Sequence, residues 1–481
     1  MNNIEHDHGH APNRFAVIPT PTRLDADPNY TGKGVTIAFL DSGFYPHPDL
    51  LNPADRIVAY HDLAGERPEL NVADPSESWQ WHGTQTSVAA AGSGHLCDGI
   101  YRGLAPDAKL VLVKVSERGR ITEANIARGF RWVKQNRERY NIRVINISLG
   151  GDEDVPCSQS IIDQAAEAAV AQGIVVVVAA GNSGGDGSHS IPPANAPSVI
   201  TVGGYHDNNQ VGHQDLDLYQ SNYGVTADGT VKPEVVAPAR WVAAPILPGT
   251  ENYARAEALS KLAAATDYQL PALVHDLGEL IQLPASLGRR DAVALREFVE
   301  ATLAEEKIVA AHYQHVDGTS FAAPIVTSII AQMLEANPQL TPGAVKSILL
   351  STAERIVGAP ALRQGYGMVN ARRAVELAKT EQHALNTTGC NPPRMENGRL
   401  VFLLHDDTAK SAALAGDFNQ WEATPFTKER SGLWRAEVEA PAAGRYQYKL
   451  VIDGHRWIED PSNGFKSPDN FGGLNSVLVI G

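Results

Sequence analysis

The chain has 481 residues, 43% of them hydrophobic, with 40 basic against 55 acidic side chains and a formal net charge of −15. That length exceeds one ordinary core and points to two or three domains, while the acidity gives no electrostatic support for binding nucleic acid or an anionic membrane surface. Cys97, Cys157 and Cys390 are odd in number and lack Cys-x-x-Cys spacing, which argues against a disulfide scaffold or a zinc site and favours a reducing compartment.

The first residues are polar, with His6, His8 and His10 at alternate positions beside Glu5 and Asp7, and read as a solvated tail of an N-terminal arm, 1–29. They hold no apolar run of the signal-peptide kind, so a cytoplasmic location is expected. Residues 35–40 then form a buried-strand pattern that ends at Asp41. Further strand-like runs lie at 109–115, 143–148, 174–180 and 198–202. Helical patterns at 122–139 and 161–172 alternate with them, the second stopping at Gly173. The alternation predicts an α/β fold, a parallel sheet flanked by helices, with ligands at the carboxyl ends of its strands. Asp41, Ser148 and Asn182 all fall there. The longest apolar stretch, 173–180, is too short to span a bilayer.

Residues 250–308 carry three amphipathic patterns, at 253–265, 273–283 and 291–307. They immediately precede Asp-Gly-Thr-Ser-Phe-Ala-Ala-Pro (317–324), where Ser320 stands near the start of a helix expected over 322–335. A serine there is also an ordinary helix cap. Helices follow at 342–352 and 371–379. From 381 the composition turns to Thr, Gly, Asn and Pro, giving a linker at 381–397. Short alternating segments at 400–404, 411–415, 433–438, 444–452 and 476–480 then predict an all-β, immunoglobulin-like sandwich over 398–481.

Asp41 in Val-Thr-Ile-Ala-Phe-Leu-Asp-Ser-Gly, His82 in Trp-His-Gly-Thr and Ser320 supply an acid, a base and a nucleophile. A serine hydroxyl attacks a carbonyl well only when an imidazole takes its proton and a carboxylate steadies the imidazole. These segments, with Val-Ala-Ala-Gly-Asn-Ser-Gly (178–184) and Asn-Ile-Ser-Leu-Gly (146–150), resemble the subtilisin-like serine proteases (subtilases), over roughly residues 30–380. The resemblance implies a subtilisin-like catalytic domain and a serine endopeptidase acting on protein or peptide substrates. It implies Asn182 as oxyanion donor, and Ser148, Leu149, Gly150, Ala179, Ala180 and Gly181 as the walls of the peptide cleft. Calcium, which many subtilases carry, is left open, with Asp49 the candidate ligand; no cofactor is required for the chemistry. Gln85 departs from the family's usual histidine and should not touch the reaction. Phe15-Ala-Val-Ile-Pro19 is either an arm that lies across the cleft as a poor substrate or a plain extension.

The last domain has a second resemblance, to the early-set glycogen-binding modules of AMP-activated protein kinase β subunits and α-glucan-branching enzymes. It is carried by Leu414-Ala-Gly-Asp-Phe-Asn-Gln-Trp421 and Tyr446-Gln-Tyr-Lys-Leu-Val-Ile-Asp-Gly454, and implies an α-glucan partner held by Trp421, Lys449, Trp457 and Asn475. A glucose face is apolar and its hydroxyls ring the edge, which suits an indole with polar neighbours. Two alternatives remain from sequence: a catalytically silent glucan-targeting scaffold, and a subtilase-type peptide ligase or cyclase.

Overall fold

The computed structural model describes residues 16–151, 155–184, 190–210, 216–285, 287, 292–380, 393–396, 399–406, 408–430, 432–442, 444–461, 463, 466–469 and 473–480. Along the chain come β1 (Thr36–Asp41), β2 (Ile57–Asp62), α1 (Trp81–Ala91), β3 (Lys109–Lys114), α2 (Glu123–Tyr140), β4 (Ile142–Ile147), α3 (Ile161–Val170), β5 (Val175–Ala179), β6 (Ile200–His206) and β7 (Val235–Pro238). The seven strands are parallel, in the spatial order β7-β6-β5-β4-β1-β3-β2.

All six residues of β1 are buried, because helices cover both faces of the sheet. Ala38 and Leu40 pack with Ile126, Phe130 and Val133 of α2 and with Ile162 and Ala166 of α3. Ile37 and Phe39 face the other way, into a core shared with α1 and with helices that come later in the chain. Thr122 caps α2 by accepting the Asn125 N–H, and Ser160 caps α3 by accepting that of Asp163. Strand β2 was not anticipated from sequence: Ile-Val-Ala-Tyr-His-Asp at the sheet edge is only half-buried, so it lacks the apolar run of its neighbours.

After β7 the chain enters β8 (Val242–Pro245), then α4 (Glu251–Ala264), α5 (Leu270–Leu277) and α6 (Ala292–Glu305), and returns through β9 (Ile308–Ala310) and β10 (Tyr313–Val316). The three inserted helices close on a core of their own, including Leu259, Leu262, Leu270, Leu295, Val299 and Leu303. β8 pairs antiparallel with β10 before the chain reaches α7 (Thr319–Ala336), α8 (Pro342–Thr352) and α9 (Ala371–Thr380). α7 is long and apolar enough to cross a membrane by length and hydropathy, yet 83% of it is buried inside the protein as a core helix.

The C-terminal domain is two antiparallel sheets. One orders Arg394–Glu396, Arg399–His405, Leu433–Glu439 and Thr427–Arg430; the other runs Thr424–Pro425, Ala412–Gly416, Gly444–Ile452, Leu474–Ile480 and Lys466–Pro468, with Arg456–Ile458 beside Gly444–Ile452. Phe402, Leu414, Trp434, Tyr448 and Leu450 fill the space between them. Strand Arg394–Glu396 lies inside the stretch expected to be linker, so the sandwich begins earlier than 398. Ser347 of α8 donates its hydroxyl to the Pro461 carbonyl at 3.2 Å, tying the sandwich to the α/β domain.

Candidate active site

Asp41 ends β1 and is 1% exposed. Its Oδ1 lies 2.7 Å from His82 Nδ1 and accepts the Ser42 N–H at 2.7 Å, while Thr86 donates to Oδ2 at 3.2 Å. A carboxylate only accepts, so Nδ1 carries the hydrogen and Nε2 is left as the basic nitrogen. Burial works against the imidazolium, but the charge and hydrogen bond of Asp41 more than offset it, and the His82 pKa rises above 6.5.

The glycines of both motifs are there for contact. A Cβ on Gly83 would overlap the Gly43 carbonyl, so this residue lets the start of α1 press against the Asp41–Gly43 turn. A Cβ on Gly43 would overlap the ring of Trp79, which covers that turn and accepts the Ser42 hydroxyl on its carbonyl at 3.0 Å. Trp79 was missed in the sequence, where nothing in its spacing distinguishes it from any other tryptophan.

Ser320 is the second residue of α7. The capping position belongs to Gly318, at φ +137°, so the alternative reading of Ser320 as helix cap does not hold. Its two neighbours define its surroundings. Thr319 donates its N–H (2.9 Å) and hydroxyl (3.0 Å) to Asn182 Oδ1, which fixes the amide so that Nδ2 is the outward donor. Phe321 has its ring 6.1 Å from that of His82. Ser320 is thus flanked in the chain by a residue bonded to Asn182 and by one whose ring approaches His82. Exposed Trp81 sits edge-on to His82, with ring centroids 5.1 Å apart.

Of the expected cleft residues, Ser148 is buried and donates its hydroxyl to the Ser320 carbonyl at 3.0 Å. Leu149 is half-buried and Gly150 exposed. Ala180 is fully buried and its N–H goes to the Val202 carbonyl, leaving Ala179 and Gly181 as the half-exposed members beside Asn182. Gln85 donates to the Pro245 carbonyl at 2.9 Å and so joins α1 to β8.

The candidate calcium ligand does not fit that use. Asp49 is fully buried, and both of its carboxylate oxygens accept the Tyr313 hydroxyl, at 2.9 and 2.8 Å. Among the described residues no group of three or more His, Cys, Asp or Glu is placed to hold a metal. His6, His8 and His10 lie outside the described residues, as does Phe15. What is described of the arm contacts Asn209, which accepts the Ile18 N–H and donates to the Ala16 carbonyl, both at 2.8 Å. Val17 packs with Tyr101, Ala243, Val309 and Tyr313. These contacts hold 16–18 against Asn209, Tyr101 and the β8–β10 region.

In the sandwich, Tyr448, Leu450 and Ile452 face the core, so Lys449 and Val451 face outward, with Trp457 paired opposite Val451. Lys449 donates to Asp469 at 2.6 Å, and Asn475 to Gln447 Oε1 at 3.0 Å. Trp421 Nε1 donates to Asp417, whose other oxygen accepts the Gln447 N–H. One outer face thus gathers Lys449, Asn475 and Trp457, with Trp421 at its border through Asp417.

A doubly covered parallel sheet with a buried Asp–His pair at one strand end and a serine at a facing helix start defines the class of α/β serine hydrolases. The comparisons narrow it. Residues 32–368 match Peptidase S8, the subtilase family, and residues 387–462 match carbohydrate-binding module 48, the isoamylase N-terminal domain. The chain belongs to the subtilase family of serine proteases. Serine protease AprX of Bacillus subtilis (strain 168) is 32% identical over 353 residues, spanning 72% of this chain and 67% of that protein. Subtilisin E of the same strain is 34% identical over 185 residues, 38% of this chain and 43% of its own length. Fervidolysin from Fervidobacterium pennivorans, a keratinolytic enzyme related to subtilisin, shares the fold at a TM-score of 0.50 and 19% identity, over 88% of this chain and 53% of its own.

Proposed function

We propose that this protein is a serine endopeptidase whose catalytic residues are Asp41, His82, Ser320 and Asn182. The observation that carries the reading is the 2.7 Å contact between His82 Nδ1 and Asp41, supported by the Thr319 bonds that orient the Asn182 amide next to Ser320 in the chain. His82 takes the Ser320 proton through Nε2 as the hydroxyl oxygen attacks the scissile carbonyl, and Asp41 stabilises the imidazolium. The Asn182 Nδ2 and the Ser320 backbone N–H hold the oxyanion. His82 passes its proton to the leaving amine, and water then hydrolyses the acyl-enzyme by the same route. A fluorophosphonate should label Ser320, and hydrolysis of a chromogenic peptide should disappear with Ser320→Ala; labelling or hydrolysis that survives the substitution overturns the reading.

The same proposal gives the C-terminal domain an α-glucan ligand, on the match to carbohydrate-binding module 48 and on the exposed ring of Trp457 beside Lys449 and Asn475. Retention of the full chain on amylose, lost in Trp457→Ala and Trp421→Ala, is the expected result, and equal elution of all three would refute it. A cytoplasmic site of action is part of the reading, supported by the cysteine spacing and tested by fractionation.

A further inference from the structure

Beside the cleft, α2 and α3 leave between them a groove of about 440 Å³. Its floor is apolar, from Ala124, Ala127, Ala165 and Ile161, and Ile161 is 49% exposed. Its wall is cationic: Arg128, Arg131 and Lys134 follow one another at helical spacing along one side of α2. Arg128 is partly engaged, with Asn125 Oδ1 and the Leu63 carbonyl. Arg131 and Lys134 enter no ion pair among the described residues, in a chain where acids outnumber bases 55 to 40. The groove also has a definite relation to the cleft. A Cβ on Gly151 would overlap the Glu123 carboxylate and meet Ile162, and the groove opens at the residue adjoining each, Ala124 after Glu123 and Ile161 before Ile162. The segment Ser148–Gly151 thus leads from the Ser320 carbonyl, which accepts the Ser148 hydroxyl, to this opening.

We propose that the groove is an exosite for the acyl-side extension of the substrate, taking a segment in which carboxylates alternate with apolar side chains. The apolar floor accepts the latter and the three cations the former, so it is charge that selects this occupant. The proposal rests on the peptidase reading and deepens it by naming a substrate class.

The test uses the full chain and three quenched-fluorescence peptides with one cleavage sequence: short, extended on the acyl side by Ser-Gly repeats, and extended by Leu-Glu repeats. The Leu-Glu peptide should exceed the Ser-Gly peptide in kcat/KM by about three- to tenfold at low salt, mainly through KM, and the gain should collapse near ~0.5 M salt. Arg131→Glu with Lys134→Glu should remove the gain and leave the short peptide unaffected. Equal rates for the two extended peptides, or a gain that survives the double variant, overturns the exosite. Anisotropy of the labelled Leu-Glu peptide on Ser320→Ala protein reads the groove without turnover, so failure of catalysis and failure of the exosite are told apart.

Discussion

Tyr313 places its phenolic hydroxyl between the two carboxylate oxygens of Asp49, at 2.9 and 2.8 Å, across 264 residues of sequence. One residue follows the first strand; the other begins the strand that leads to the nucleophile's helix. The hydroxyl satisfies a fully buried acid whose Oδ1 also lies 3.8 Å from His47 Nδ1. Tyr313→Phe should therefore cost about 1–3 kcal/mol, seen as a lower thermal midpoint in calorimetry, and Asp49→Asn in the same chain should recover part of it. A chelator should leave the wild-type midpoint where it is. An unchanged midpoint for Tyr313→Phe would show that the pair does not stabilise the fold.

The His82–Asp41 contact sets a pH dependence. Only neutral His82 can take the Ser320 proton, and its pKa is held above 6.5, so the acid limb of kcat/KM should fall above that value; Asp41→Asn should shift it downward and slow the reaction. The stability term has the opposite sign. A folded pKa above the unfolded one favours the protonated form, so this contribution is full below about 6.5 and fades as pH rises through the folded pKa. An acid limb at or below 6.5 in the pH–rate profile would contradict the geometry.

Gly43 and Trp79 make a prediction independent of the catalytic side chains. Gly43→Ala pushes its methyl into the indole that covers the Asp41 turn and should lower kcat/KM by about tenfold or more, through displacement of the His82–Asp41 pair. Adding Trp79→Ala should return part of the activity. No recovery in the double variant would place the damage elsewhere.

Asp163 bears on stability alone. It is fully buried in the first turn of α3, and neither carboxylate oxygen has a hydrogen-bond partner among the described residues. Burial lifts its pKa to about 7. The folded state then binds the proton more tightly than the unfolded chain, and stability falls between about pH 4 and 7 and is level above. Asp163→Asn should be more stable than wild type by on the order of 2–4 kcal/mol at about pH 8 and equal to it near pH 4, as read by denaturant unfolding. Equal stability at both would mean that the acid is compensated.

The sequence made legible whatever is local. Strand β1 and its terminal Asp41, helix α8 at 342–352 and the strand at 444–452 stand where the apolar patterns put them. Edge elements such as β2 were not legible, because a half-buried strand with His61 and Asp62 has no distinctive period. Motif glycines were readable as motif, but not their partners: Trp79 over Gly43, or Thr319 turning the Asn182 amide, depend on contacts between distant segments. Asp49 shows the limit most plainly. The family resemblance left it as a candidate calcium ligand, and only the fold brings Tyr313 to it.

The pairing of β8 with β10 has one more consequence. It holds Pro245 and Tyr313 at the neck of a hairpin, a strand spacing of about 4.8 Å apart, with the three-helix head beyond. Since closure cost rises only slowly with the length enclosed, the head is an interchangeable cassette on a fixed socket. Changing the length of the head should therefore alter the closure cost little, as long as the β8–β10 pairing delivers the chain to Gly318.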